Sequence, residues 1–542
     1  MTGESTRGGP GRSVFRERLA ERNPDPKRRR WVFVPYDQLT DQIGPLARLE
    51  PSDAGIVLVE SPWKAARRPY HKQKLALILS NLRHFALEQA ERGVAVRHVV
   101  SHEPYRNAIR PLAEELGPIT MMEPAERELR RDLGPLIREG GLTTLPHEGW
   151  LTSRDQFAES QGGPPPWRMD AFYRRVRRDT GVLMDESGKP EGGKFSFDAQ
   201  NREPWKGDPP APEEPASPLD PIKQEVLDLV SSAFPEHPGE LDPGALTATQ
   251  SDAEALWAWA KRECLDSFGP FEDAMSVRSE GLFHTRISFL LHVHRLLPSR
   301  VVEEVATSDA PLSSREGFVR QVLGWREFMR HVHLRTDGFR NLSGSATITT
   351  ETSTDPATPS ALGADRPLPP AWWGSKSGFN CLDTVVDSVV RTGYSHHITR
   401  LMVLANIATL IDVSPRELTD WFWAMYTDAF DWVVEPNVLG MGTFGAGDLM
   451  TTKPYVSGAA YINRMSDYCE SCAFDPKKDC PITSLYWAFL ARHEEELRDN
   501  SRMRLPLASM RKRPEAAKLR DAKVYDWVSR ELSGGRTLDP AG

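Results

Sequence analysis

The sequence predicts a doubly wound α/β domain joined by a long connector to a large all-α domain. Three observations carry this reading. Residues 31–150 alternate short apolar runs with helical patterns. A proline-rich, acidic segment fills 180–245. From about Asp252 onward, apolar residues recur at three-to-four spacing nearly to the end. A chain of 542 residues has room for about two to four domains.

Taken in order, residues 1–30 hold nine Lys/Arg against four Asp/Glu, ending in Lys27-Arg28-Arg29-Arg30. That composition predicts a disordered basic tail. The runs Trp31–Val34, Ile56–Val59, Val94–Val100, Ile119–Met122 and Leu142–Leu145 read as strands. Between them Lys72–Glu91, Pro104–Leu116 and Glu126–Glu139 read as helices. Continuous apolar strands between helices imply a parallel sheet covered on both faces, Rossmann-like, over 31–150. No G-x-G-x-x-G follows the first strand, so the usual dinucleotide mode is unsupported. Ligands of such sheets sit beyond the carboxyl ends of the strands, where Asp37 and Glu60 fall. By position alone these acids read equally as helix caps or solvated loop residues.

Residues 151–245 form the interdomain connector. Pro204, Pro209, Pro210, Pro212, Pro215, Pro218 and Pro221 break regular structure there, with partial order expected around Gly192–Asp198. Residues 246–535 read as one helical domain. Its signals are Phe318, Val322, Trp325 and Met329, then Leu382, Val385 and Val389, then Ile398, Met402 and Ala405.

The formal net charge of −8 argues against a protein that coats nucleic acid by bulk charge. However, the segment 180–245 alone carries 14 Asp/Glu against 5 Lys/Arg, so the remainder is near neutral and leaves room for basic patches. Arg168, Arg174, Arg175, Arg177, Arg178, Arg400, Arg464 and the run Arg511-Lys512-Arg513 are candidates for such patches. Each reads otherwise as a solvated helix face. Five cysteines exclude a disulfide scaffold. No run of 18 apolar residues and no secretory leader is present, so a cytoplasmic protein without a membrane span is expected.

Several constellations could carry chemistry. Cys469-x-x-Cys472-x7-Cys480-Pro481, with Cys381 upstream, would satisfy Zn²⁺ or an iron–sulfur cluster, with unligated thiols as the remaining reading. Cys264 reads as a plain buried thiol. Tryptophans concentrate in the helical domain, at Trp325, Trp372, Trp373, Trp421, Trp423, Trp432 and Trp487. They read as core or as a relay for single electrons. Phe283-His284-Thr285-Arg286-Ile287-Ser288 is a helix-start pattern, able to cap or to hold a phosphate. His396-His397 could offer a proton donor to a pocket or be a structural pair.

Further motifs are Asp37-Gln38-Leu39, Leu82-Arg83-His84-Phe85, Gly192–Asp198 with Asn201-Arg202, and Gln321–Phe328. Tyr394–His397, Pro436–Met441, Thr452–Tyr455 and Tyr461–Met465 complete the set. In their order and spacing these segments resemble the cryptochrome/photolyase superfamily. The closer match is its bacterial iron–sulfur branch, the prokaryotic (6-4) photolyases and related cryptochromes. The resemblance covers nearly the whole chain after residue 30.

It implies an antenna pigment, 6,7-dimethyl-8-ribityllumazine, in the α/β domain with contacts at Asp37 and Glu60. It also implies a U-shaped FAD in the helical domain. FAD contacts would fall at Thr285, Ser288, Gln321, Trp325, Arg326 and Asn437, and a [4Fe–4S] cluster at Cys381, Cys469, Cys472 and Cys480. The implied activity is light-driven repair of pyrimidine–pyrimidone (6-4) photoproducts in DNA by electron transfer from excited reduced FAD. His396 or His397 would protonate the lesion, Tyr455 and Tyr461 would line its pocket, and Arg174, Arg175, Arg400 and Arg464 would meet UV-damaged DNA. The chain would act as a monomer, associated with the nucleoid when bound.

Trp421 and Trp373 occupy two of the family's electron-relay positions. Phe422 and Phe430 stand where the family carries tyrosine, which points to a rerouted path through Trp423 or Trp432. Val434 replaces an acid near the flavin, and His292 stands where asparagine is common. These departures keep two further readings in view: a blue-light photoreceptor of the same fold, and an iron–sulfur nucleic-acid-binding protein without photochemistry.

Overall fold

A computed structural model describes residues 13–344 and 355–540. Its sheet has five parallel strands: β1 (Arg30–Phe33), β2 (Ala54–Glu60), β3 (Ala95–Val100), β4 (Ile119–Met122) and β5 (Leu142–Leu145). They lie in the order β3-β2-β1-β4-β5. The strands sit where the apolar runs predict them: β1, β2 and β4 are mostly buried, and the edge strands β3 and β5 are partly exposed. β2 is buried along its whole length. Register pairs Trp31 with Gly55, and a Cβ at Gly55 would stand 2.7 Å from the Trp31 ring, so only glycine leaves that indole its place.

The amino-terminal region departs from expectation. Residues 1–12 lie outside the described residues, but α1 (Val14–Arg22) is a formed helix, not a disordered tail. Ser13 caps it and donates to Glu225 Oε1 at 2.6 Å. Phe15 and Leu19, one helical turn apart, are buried, and the Phe15 ring meets His98 edge-on at 4.8 Å. The basic composition hid this apolar pair.

The long helix α2 (Lys72–Glu91) lies between the sheet and the helical domain. α3 (Tyr105–Leu116) and α4 (Arg127–Arg138) follow the next two strands. The connector also departs from expectation. Asp220 caps and Pro221 opens α5 (Pro221–Ala233), whose Ile222, Val226 and Val230 are buried and which packs against α1 and α2. A proline read as a breaker is here a helix starter, because its missing N–H costs nothing at the first helical position.

The rest is helical, and four stretches widen into π-helical turns: Ala260–Cys264, Arg320–Arg326, Arg400–Ala405 and Glu435–Gly442. Such turns cluster at functional sites. Three of them carry residues expected to face a cofactor or substrate. The overall class is therefore α/β plus all-α. One apolar core runs through both parts, and hydrogen bonds stitch the seam. Lys74 Nζ donates to the carbonyls of Trp423 and Ala429, and the Glu128 N–H donates to Asp431. No helix of the described residues is long and apolar enough to cross a membrane.

Phe15→Ala should lower unfolding stability by about 3 kcal/mol, the usual cost of deleting a buried ring. Urea denaturation of the two proteins measures it; an unchanged midpoint would restore the disordered tail.

Candidate functional site

The centre of the helical domain is organised by Asp428, in the loop after α6 (Pro415–Met425). Its carboxylate accepts from both terminal nitrogens of Arg400 at 3.0 Å and from Ser288 Oγ at 2.7 Å. Its carbonyl bonds His292 Nδ1 at 3.0 Å. Burial alone would raise this carboxyl, but the guanidinium wins and holds it down at about 2. Arg400 also donates from Nε to the Ser395 carbonyl at 2.7 Å. The pair therefore fixes the turn that starts the helix at His397.

His396 and His397 open that helix beside a third imidazole, His284. The His284 and His396 rings stack at 4.4 Å, with planes 12° apart, and His397 meets His284 edge-on at 5.3 Å. His284 and His396 are buried. Burial first, then their cationic neighbours, push both well below the ordinary imidazole range, so they are neutral at pH 7. His397 is different: its side chain is 40% exposed, with Nε2 3.8 Å from Asp273. Tyr461 donates to the same Asp273 at 3.3 Å. Arg202 Nε lies 3.7 Å from the same Asp273, so Tyr461, the acid, Arg202 and His397 form one rim, and the Arg202 charge also acts on Tyr455.

The four expected cysteines converge. Cys381 lies in the first turn of α7 (Asn380–Thr392), Cys469 lies within the turn Tyr468–Ser471, Cys472 follows it, and Cys480 immediately precedes α8 (Pro481–Arg492). All four line one small pocket with Phe379, Tyr468, Phe474 and Ile482, and none is in a disulfide. Burial first, then the neighbouring thiols, raise Cys381 well above the ordinary thiol value, Cys469 to about 11 and Cys480 to about 12. Four thiolates can coexist in this apolar pocket only with a compensating cation. The all-sulfur donor set fits Zn²⁺ or an iron–sulfur cluster.

Trp373, Trp421 and Trp423 line a single cleft of about 550 Å³ between the two parts of the molecule. Trp421 is buried and donates from Nε1 to the Trp372 carbonyl at 2.9 Å, while Trp373 is half exposed. Sequence reasoning missed Tyr426. Its ring stacks on Phe422 at 5.1 Å and meets Trp421 at 5.9 Å, and its hydroxyl bonds Ser395 Oγ at 2.8 Å.

Residues 32–245 match the family model described as deoxyribodipyrimidine photo-lyase-related protein. A (6-4) photolyase of Agrobacterium fabrum (strain C58 / ATCC 33970) is 34% identical over 496 residues, which cover 88% of this chain and 94% of that protein. The chain belongs to the photolyase-related family. A smaller relative, an uncharacterized protein of Acanthamoeba polyphaga mimivirus, is 29% identical over 119 residues, 22% of this chain and 94% of its own. The crystal structure of a bacterial class III photolyase from Agrobacterium tumefaciens shares the fold, with a TM-score of 0.53 and 13% identity, over 93% of this chain and 98% of that one.

In this photolyase-related chain a second cavity, about 310 Å³ and largely apolar, lies beyond the carboxyl ends of β1, β2 and β3. Glu60 lines it. Burial would raise Glu60, but His98, with Nε2 3.0 Å away, and two hydrogen bonds from Arg83 hold it down at about 2, so it is a fixed acceptor. Asp37, just past β1, is buried next to Tyr36 and Lys64, which line this cavity, and both its carboxylate oxygens lack a hydrogen-bond partner of good geometry. Burial pushes it up to about 7, against the pull of Lys64.

The expected flavin contacts take different partners. Ser288 belongs to the Asp428 group, and Thr285 is buried near it in sequence. Gln321 donates to Glu272 at 2.5 Å. Trp325 is partly buried against the core. The Arg326 guanidinium lies over the Trp150 ring at 4.1 Å and bonds Glu327. Asn437 Nδ2 donates to the Val433 carbonyl at 2.7 Å. The buried Asp428–Arg400 ion pair with the Ser288 hydroxyl fits a polar heterocycle such as a flavin.

Arg174 and Arg175 are exposed on the helix Met169–Thr180, paired with Asp170 and with Glu159 and Asp179. Arg464 is exposed beside Tyr461. Arg400, expected on a DNA-facing surface, is instead turned inward: the buried Asp428 carboxylate holds it there.

Asp37 yields a prediction with a sign. Its folded pKa, about 7, stands above the ordinary value of 3.8, so the folded state keeps a proton that the unfolded chain releases. Stability from this group is present below that ordinary value and is lost as pH rises toward 7. Asp37→Asn should therefore gain stability over wild type at pH 8 and show little gain at pH 4. Thermal unfolding at both pH values checks this, and parallel pH profiles would refute it.

Proposed function

We infer that this chain repairs pyrimidine–pyrimidone (6-4) photoproducts in DNA in a light-driven reaction. The observation that carries the reading is the partly exposed His397, at the rim with Asp273, Arg202 and Tyr461, on a helix start pinned by the Asp428–Arg400 pair. Membership of the photolyase-related family and the 34% identity to a (6-4) photolyase support the same reading.

Bound FAD supplies the light-excited electron donor. Thr285, Ser288, Gln321, Trp325, Arg326 and Asn437 are the residues proposed to hold it. The lesion is extruded from the duplex, which costs least where stacking is already disrupted. Tyr455 and Tyr461 receive it, and Arg174, Arg175 and Arg464 contact the backbone of UV-damaged DNA. His397, open to solvent, delivers the proton to the lesion. His396, buried and neutral, orients the pair. A monomer suffices for each of these steps.

The cavity beside Glu60 takes the 6,7-dimethyl-8-ribityllumazine antenna, whose ribityl hydroxyls suit a fixed carboxylate acceptor. The four cysteines hold a [4Fe–4S] cluster. Half-exposed Trp373 and buried Trp421 would relay electrons from a reductant in solution toward the bound flavin. Trp423 is a side route, and Tyr426 offers the phenol that Phe422 lacks.

A specific observation favours a second reading. Phe422, Phe430 and Val434 are all buried and apolar where the family carries redox-active or acidic side chains, which suits a blue-light photoreceptor without repair. One experiment separates the two: conversion of a (6-4)-containing oligonucleotide by the purified protein in light and in darkness. The expected result is repair in light alone, reduced at least about 100-fold in His397→Ala. Flavin photoreduction with no repair would select the photoreceptor, and repair undiminished in His397→Ala would remove the proposed proton donor.

A further inference from the structure

His284 has no part in the reaction proposed above, yet it completes a cluster. One ring nitrogen from each of His284, His396 and His397 lies within 4.8 Å of the other two. Two of these rings are buried with a nitrogen unsatisfied: His284 Nε2 and His396 Nδ1 have no hydrogen-bond partner. A buried ring nitrogen without a partner is costly unless something occupies it. We propose that His284, His396 and His397 form a binding site for a borderline-soft divalent transition-metal ion of the zinc class, opening to solvent at His397.

The chemistry suits such an ion. Three imidazoles with an open fourth position are a recurring zinc arrangement, and imidazole selects Zn²⁺, Ni²⁺ or Cu²⁺ over the harder Mg²⁺ and Ca²⁺. Ligation needs neutral rings, and burial keeps His284 and His396 in that form. Nearby Asp273, 3.8 Å from His397 Nε2, can orient that ring from the outer shell. The two cations closest to the cluster are already compensated, Arg400 by Asp428 and Arg286 by Glu214. Zinc-bound nitrogens at about 2.1 Å from the ion lie closer together than the present spacing, and stacked rings aim their lone pairs along near-parallel planes, so ligation requires His396 to turn out of its stack on His284 and the partly exposed His397 to swing inward.

Occupancy has a consequence. The ion takes the ring lone pairs and leaves no imidazolium to give up a proton. Zinc-class ions should therefore block turnover, reversibly, without displacing the cysteine-bound group. This consequence rests on the repair reading; the binding site itself does not.

The test is titration of the full-length, flavin-containing protein with Zn²⁺ against a chromophoric chelator. Wild type should take up one additional Zn²⁺ per chain. His397→Ala and His284→Ala should each weaken that uptake at least about tenfold, the lower range of what even outer-shell changes cost. His397 is exposed, so its variant tests the site without disturbing the core. Absence of the uptake in wild type overturns the proposal, as does uptake that survives both substitutions, which would belong to the cysteine pocket. Uptake at the histidines in a protein that repairs nothing would refute the repair reading and leave the site standing.

Discussion

The Asp428–Arg400 pair is the interaction on which the helical domain's chemistry depends. Breaking a buried ion pair of this kind costs about 3–5 kcal/mol, because it leaves one charge uncompensated. Here the pair also joins segments far apart in the chain. Through Ser288 and His292 it reaches the short helix Ser288–His292, and through the Ser395 carbonyl it sets the start of the His397 helix. The Arg400 guanidinium also lies over the Tyr426 ring at 4.1 Å, which ties the aromatic path to the same point. A charge that could have faced DNA is used instead to build the site.

The second constraint is the seam between the sheet and the helices. Lys74, fully buried, spends its protons on two carbonyls of the helical domain. Trp423 separates the cavity at the strand ends from the cleft lined by Trp373 and Trp421. One indole thus borders both the pocket suited to an antenna and the path suited to electrons. The relative placement of these two spaces follows from packing α2 against both layers.

Much of this was legible in the sequence, for physical reasons that differ by element. The central strands β1, β2 and β4 are apolar runs because they are covered on both faces, a signal that composition cannot mask, while the edge strands β3 and β5 are partly open and carry polar residues. The cysteines were legible because their residue type and spacing carry the chemistry, although Cys381 needed the fold to bring it near. α1 was hidden by its charged face. α5 was hidden because a proline after an aspartate was read as a break, not as a capped start. Asp428, Tyr426 and His284 belong to no local pattern. Each acts through partners more than 25 residues away in sequence, such as Asp428 with Arg400 or His284 with His396. The only available hint for His284 was its place within the segment Phe283–Ser288. Arg400 was misread because an arginine beside a histidine pair gives no indication of which way it turns.

If one chain holds both a flavin and a cluster on its four cysteines, the visible absorption spectrum and iron content of the anaerobically purified wild-type protein show it most directly. Resolved flavin bands over a broad iron–sulfur absorption are expected, with about four iron atoms per chain. A colourless protein, or one that holds a single zinc ion and no flavin, would contradict that reading.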